Sequence, residues 1–137
     1  HLHHQFENKN IQKTYHAVVV GKTNDSGIID FEIESQEAYT EYQTIQQVSS
    51  LRNNYLSLLE LHPKTGRTHQ LRVHLSKLDH SIVGDKIYAP DNVMKHKGVF
   101  LCASSIEFVH PFTHQLVSIS SPLPRDMQVF AKNEMEI

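Results

Sequence analysis

The chain has 137 residues, of which 39% are hydrophobic and 20% charged, with a formal net charge of -2 and a single cysteine. This length suits one globular domain with its own core, while the near-neutral charge argues against a strongly basic nucleic-acid binder and lone Cys102 excludes an internal disulfide. No apolar run approaches the length of a bilayer span, and there is no low-complexity tract, repeat or signal-peptide pattern, so a soluble protein of a reducing cytoplasm without a membrane partner is expected.

His1, His3 and His4 have no Cys or carboxylate partner at ligand spacing and read as a terminal surface cluster, not a metal site. Residues 2–7 read as the end of a helix. The chain starts without methionine and inside an amphipathic element, which leads us to expect a portion of a longer protein. Residues 14–20, Thr-Tyr-His-Ala-Val-Val-Val, are β-branched and aromatic and predict a strand that Gly21 ends. Asn24-Asp25-Ser26-Gly27 is turn chemistry leading into Ile28-Ile29-Asp30-Phe31, so a hairpin is expected here. Residues 38–48 alternate like an exposed strand, residues 55–61 form a more apolar one, and the two are expected to pair antiparallel.

The one strong internal helix is expected from Thr68 to Leu78. Thr68 is placed to be its N-cap, Gly66 permits a tight entry, and Leu71, Leu75 and Leu78 recur at helical spacing. Arg72 falls on the flank of that stripe, on the side of His69 and Ser76, where an arginine needs a carboxylate or comparable acceptor. Residues 99–109 and 116–120 bracket a turn at 110–114, and a short helix is expected near Pro124. Strands in succession with few helices indicate a mainly antiparallel α+β domain, not a doubly wound parallel one. Charge is uneven along this order: residues 1–59 carry -3, residues 60–98 carry +3, and the remainder carries -2. The difference is small, and a solvated basic face accounts for it more simply than a phosphate-binding one does.

The segment Leu61-His62-Pro63-Lys64-Thr65-Gly66-Arg67-Thr68-His69-Gln70-Leu71-Arg72-Val73-His74-Leu75, followed by Ile82-Val83-Gly84-Asp85-Lys86-Ile87-Tyr88, resembles the long C-terminal signature of RluA-type RNA pseudouridine synthases. The likeness extends back through Ala38-Tyr39-Thr40-Glu41-Tyr42 and Lys13-Thr14-Tyr15 to Phe6-Glu7, and forward through Phe100-Leu101-Cys102-Ala103 to Phe108-Val109-His110-Pro111, so it covers nearly the whole chain. It implies the C-terminal portion of a pseudouridine synthase catalytic domain over residues 1–137, isomerising uridine in ribosomal or transfer RNA. No metal or organic cofactor is implied. Arg72 matches the basic residue that pairs with the family's nucleophilic aspartate, and Tyr15 matches the tyrosine that contacts the base and assists proton removal.

The aspartate itself, carried in the family by a His-Arg-Leu-Asp run, has no match between His1 and Ile137. The chain alone is therefore expected to be inactive, and a noncatalytic RNA-binding module on the same scaffold is the alternative. Asp85 matches a family turn element and is expected to be structural, with Gly66, Thr68, His69 and Gln70 supporting the site. Lys64 and Arg67, on the loop entering the helix, are candidates to meet RNA phosphate, with a solvated loop as the competing reading. Asp79, Ser81 and Ala89 depart from the family's usual Gly, Pro and Gly at the turns around the second motif, and Glu32 replaces a proline near the first hairpin.

Overall fold

The computed structural model describes residues 11–50, 54–89, 99–109, 113 and 115–120. Among the described residues six strands form one antiparallel sheet: β1 (Ile11–Val20), β2 (Ser26–Ile29), β3 (Thr40–Ser50), β4 (Asn54–Pro63), β5 (Leu101–Val109) and β6 (Leu116–Ser120). They run in the order β2-β3-β4-β1-β5-β6, and the helix α1 (Gln70–Lys77) follows β4 in the chain. The β-branched centre of β1 is what places it mid-sheet: Ala17, Val18 and Val19 are all buried, a pattern that needs cover on both faces. The expected antiparallel α+β domain is therefore observed.

The expected pairing of β3 with β4 is observed too, with Tyr42 opposite Leu61 and a bulge between Thr44 and Gln46. The hairpin expected after β1 does not form. Ser26 and Gly27 already belong to β2, which pairs with β3, because β4 and β5 occupy the two edges of β1. The segment 81–83 takes up the remaining polar groups at the end of β1: the Val20 N–H donates to Ser81 and the Val83 N–H to Val18. Ile82 and Val83 are fully buried there. Gly21 follows with φ 97, and a Cβ at that position would stand 2.6 Å from His80 Nδ1.

Helix α1 lays Leu71 and Leu75 on the core beside Leu59 and Leu61, and fully burying a leucine contributes about 1.5–3 kcal/mol. Its start differs from expectation. His69, not Thr68, is the N-cap residue; it has φ 53 and ψ 28 and its side chain makes no cap hydrogen bond. Gln70 does the local capping instead, its Oε1 accepting the Arg67 N–H at 3.1 Å. The end of the helix is a Schellman motif: the His80 N–H donates to Leu75 and the Asp79 N–H to Ser76, with Asp79 at φ 63. Asp79 is thus a departure from the family pattern at a position whose backbone favours glycine. The helices expected at residues 2–7 and near Pro124 lie outside the described residues, as does most of the turn at 110–114. Among the described residues no helix is long and apolar enough to cross a membrane.

Candidate active site

An open cleft of about 380 Å³ lies where β1, β5, the β4–α1 loop and the first turn of α1 converge. Tyr15 and Lys13 enter it from β1, Leu101 from β5, Gly66 and Arg67 from the loop, and Leu71 and Arg72 from the helix. Lys13 was not singled out from sequence, although a strand's period of two puts it on the face of Tyr15. Tyr15 and Arg72, 57 positions apart in sequence, therefore line one cavity. Burial pushes the Tyr15 hydroxyl above its ordinary value, so it faces the cleft as a neutral phenol.

Arg72 is held from two sides. Its Nη2 donates to Asp85 Oδ1 at 2.7 Å and its Nε to Oδ2 at 3.1 Å, a bidentate pair in which the Asp85 side chain is 1% exposed. The Tyr88 ring lies beneath the guanidinium, 5.3 Å from its carbon. Tyr88 is itself fixed, its hydroxyl against His69 Nδ1 at 2.9 Å and its carbonyl accepting from Ser76 Oγ at 2.7 Å. The pairing with Asp85 raises the Arg72 pKa. Burial alone would raise the Asp85 carboxyl, but hydrogen bonds from Arg72 and from the Tyr88 and Ile87 N–H groups outweigh it and hold the carboxyl below its usual value.

Asp85 Oδ1 also accepts the Ile87 and Tyr88 N–H groups at 3.0 Å each, which ties the carboxylate to the turn that follows it. It sits behind Arg72 and does not line the cleft. Lys64 and Thr68 also lie outside the lining; Lys64 pairs with Glu41 at 3.4 Å across an exposed surface. Arg67 lines the cleft while its Nε donates to the Glu37 carbonyl at 2.8 Å. His69 and Gln70 are both in the lining, His69 held by Tyr88 and Gln70 by the loop. Tyr88 appeared in the motif without a role, because a stacking contact depends on a turn that sequence spacing does not specify. Among the described residues no three His, Cys, Asp or Glu side chains are grouped to hold a metal ion.

The family model described as RNA pseudouridylate synthase matches residues 1–77. An uncharacterized RNA pseudouridine synthase of Bacillus subtilis, YhcT, is 32% identical over 93% of this chain and 46% of its own length. The tRNA pseudouridine synthase C of Vibrio vulnificus is 34% identical over 90% of this chain and 62% of its own length. This chain thus spans about half to three fifths of these relatives. Two solved human structures share the fold: RNA Pseudouridylate Synthase Domain Containing 1, with a TM-score of 0.75 at 24% identity, and Domain Containing 4, with 0.76 at 22%. The first superposes over 87% of this chain and 57% of its own, the second over 97% and 65%. With a family model matching more than half of its residues and the RluA-type signature running through the cleft-lining loop and helix, the chain belongs to the RNA pseudouridylate synthase family.

Proposed function

We propose that this chain supplies part of the active site of an RNA pseudouridine synthase acting on transfer or ribosomal RNA in the cytoplasm, and that the cleft holds the target uridine. The observation that carries the reading is the meeting of Tyr15 and Arg72 in one cavity. In the family reaction an aspartate attacks the nucleoside and the bond between uracil N1 and ribose C1′ breaks. The base then turns, C5 joins C1′, the C5 hydrogen leaves as a proton and N1 gains one, so the product is an isomer.

Arg72 is suited to the electrostatic part of this work. Two of its nitrogens are spent on Asp85, while Nη1 makes no hydrogen bond among the described residues. That end can meet a second carboxylate and favour its ionised, nucleophilic form. Tyr15 offers an aromatic face and a phenol to the base extruded from the RNA. Arg67 lines the same cleft with only its Nε hydrogen-bonded among the described side-chain contacts, which leaves its terminal nitrogens to phosphate. Because no His-Arg-Leu-Asp run lies between His1 and Ile137, the reading assigns the nucleophile to a further segment of a longer protein.

The test is tritium release from RNA carrying uridine labelled at C5. A longer protein containing the aspartate segment is expected to release tritium and this chain alone to release none; release by the chain alone would overturn the assignment. A second reading, an RNA-binding module without turnover, is favoured by one observation: Asp85 already satisfies Arg72 without an outside carboxylate. Lack of any aspartate-bearing segment in the full open reading frame would support that module. Under either reading RNA binding by the chain is weak and falls with salt, and Arg67→Ala weakens it further, by about threefold to tenfold for one phosphate contact.

A further inference from the structure

His74 is fully buried on the flank of α1 facing away from Arg72, and the chemistry above gives it no task. Its Nε2 stands 2.7 Å from the Phe31 carbonyl oxygen and its Nδ1 2.9 Å from Thr40 Oγ1. A carbonyl only accepts, so Nε2 carries the proton and Nδ1 accepts from the Thr40 hydroxyl. Thr40 Oγ1 in turn accepts from Gln70 Nε2 at 3.0 Å, and the same nitrogen donates to the Tyr39 carbonyl at 2.9 Å. At its other end the Gln70 carboxamide oxygen accepts the Thr65 hydroxyl at 2.6 Å and the Arg67 N–H at 3.1 Å. The Thr65 hydroxyl oxygen accepts the Tyr39 N–H at 3.1 Å.

The run is bounded by a backbone N–H at Arg67, which can only donate, and a backbone carbonyl at Phe31, which can only accept. Every proton between them is therefore directed one way, and the orientation of the Gln70 amide and the tautomer of His74 follow from the two ends. With the Nδ1–H tautomer, or with both nitrogens protonated, Thr40 would face two donors and its own proton would have no acceptor among the described residues. The surroundings favour the neutral ring: it is edge-on to Phe31 at 6.4 Å, whose face in turn carries the Lys77 ammonium, and Asp30 is the nearby carboxylate that opposes this.

We propose that His74 is a positioning residue for the cleft: fixed as its Nε2–H tautomer, it aligns Thr40 and Gln70, and Gln70 presents the loop that carries Arg67. The cleft's role in binding RNA rests on the function proposed above, whereas the relay itself does not. Sequence gives no hint of it, since Thr40 and His74 are 34 positions apart and both would pass as ordinary core residues.

The experiment is ¹⁵N NMR of this chain in the absence of RNA, so a failure of the pseudouridine reading leaves its outcome unchanged. In the unaltered chain the His74 imidazole is expected to show the Nε2–H pattern; an Nδ1–H or charged ring at neutral pH overturns the proposal. Thr40→Val keeps the side-chain shape and removes the hydroxyl. It is expected to accelerate exchange of the Arg67 amide proton by about fivefold to tenfold, as loss of roughly one hydrogen bond implies, while the Tyr15 and Leu59 ladder amides are unaffected. Thr40→Ser is expected to restore both the exchange rate and the imidazole pattern. Arg67 exchange that is unchanged in Thr40→Val, or that Thr40→Ser does not recover, overturns the relay, and the tautomer measurement on the unaltered chain decides the matter even where Thr40→Val does not fold.

Discussion

On one flank of α1, Gln70 and His74 reach Thr40 and Phe31 through neutral hydrogen bonds; on the other, Arg72 reaches Asp85 through a charged, bidentate pair. The neutral flank depends on the direction of each proton and fails when a proton is added. The charged flank tolerates ordinary acidity but fails when either partner loses its charge, because the survivor is left desolvated. Between them they fix a short helix of eight residues that could not hold its shape alone, and they aim its first turn at the cleft.

Substitutions on the charged flank are expected to have the largest effect. In a longer protein bearing the aspartate, Arg72→Ala is expected to lower tritium release by more than about a thousandfold, roughly 4 kcal/mol of barrier. Arg72→Lys keeps a charge yet cannot reproduce the fork that grips both Asp85 oxygens, so it should recover only a small part of that loss. Full turnover by the Arg72→Lys enzyme would show that the bidentate geometry is dispensable. Next comes Asp85→Asn, expected to destabilise this chain by about 2–3 kcal/mol in urea denaturation, since a nearly buried guanidinium loses its counter-charge and Tyr88 its N–H acceptor geometry. A change below about 0.5 kcal/mol would place the pair among surface bridges of little consequence.

That the helix, the β3–β4 pairing and the cleft partners Tyr15 and Arg72 were legible follows from local chemistry: leucines at helical spacing, β-branched strands, and a long motif. Arg72's need for a carboxylate could likewise be read from its place beside the stripe. Asp85 as that carboxylate could not, because its distance from Arg72 is set by the Schellman turn and by the 81–83 segment lying along β1. The hairpin failed for a related reason. Turn residues at 24–27 make a reversal easy but do not choose the strand that β2 joins, and β3 offered a longer ladder than a β1 edge already taken by β4. Thr68 failed as N-cap because the Gln70 side chain, tied to Thr40, had settled the entry of the helix from within the core.

Titration separates the two flanks. Burial lowers the His74 pKa from 6.5, so the folded chain keeps it neutral while the unfolded chain takes up a proton. Its contribution to stability is therefore complete above the unfolded value of 6.5 and is lost as pH falls from there through the folded value, at no more than about 1.4 kcal/mol per pH unit. His16, lowered chiefly by burial, adds in the same direction. Asp85 lies below its ordinary value of 3.8, so its contribution is present above that pH and lost only in stronger acid. Urea midpoints measured from pH 7.5 to pH 3 should show two separate declines, and His74→Gln should remove part of the first and spare the second. A single decline confined to pH below about 4 would contradict a neutral, proton-sensitive flank.

The smallest effect expected is at Asp79, which follows α1 and serves both flanks equally. Its φ of 63 is a left-handed conformation that a Cβ makes unfavourable, and its carboxylate stands at the negative end of the helix dipole. Both terms disfavour the residue that is there. The Schellman hydrogen bonds from Asp79 and His80 involve only backbone, so glycine can keep them. Asp79→Gly should then stabilise the chain by about 0.5 kcal/mol, the relief of strain and charge exceeding the extra freedom that glycine gives the unfolded state. It should shift the urea midpoint upward with an unchanged slope, and leave the His74 imidazole signals and the Arg72–Asp85 pair as they are. Asp79→Ala keeps the strain while removing the charge, so the difference between the two variants isolates the backbone contribution. If alanine proves as stable as glycine, the left-handed turn costs this fold nothing, and removal of the charge alone accounts for the gain.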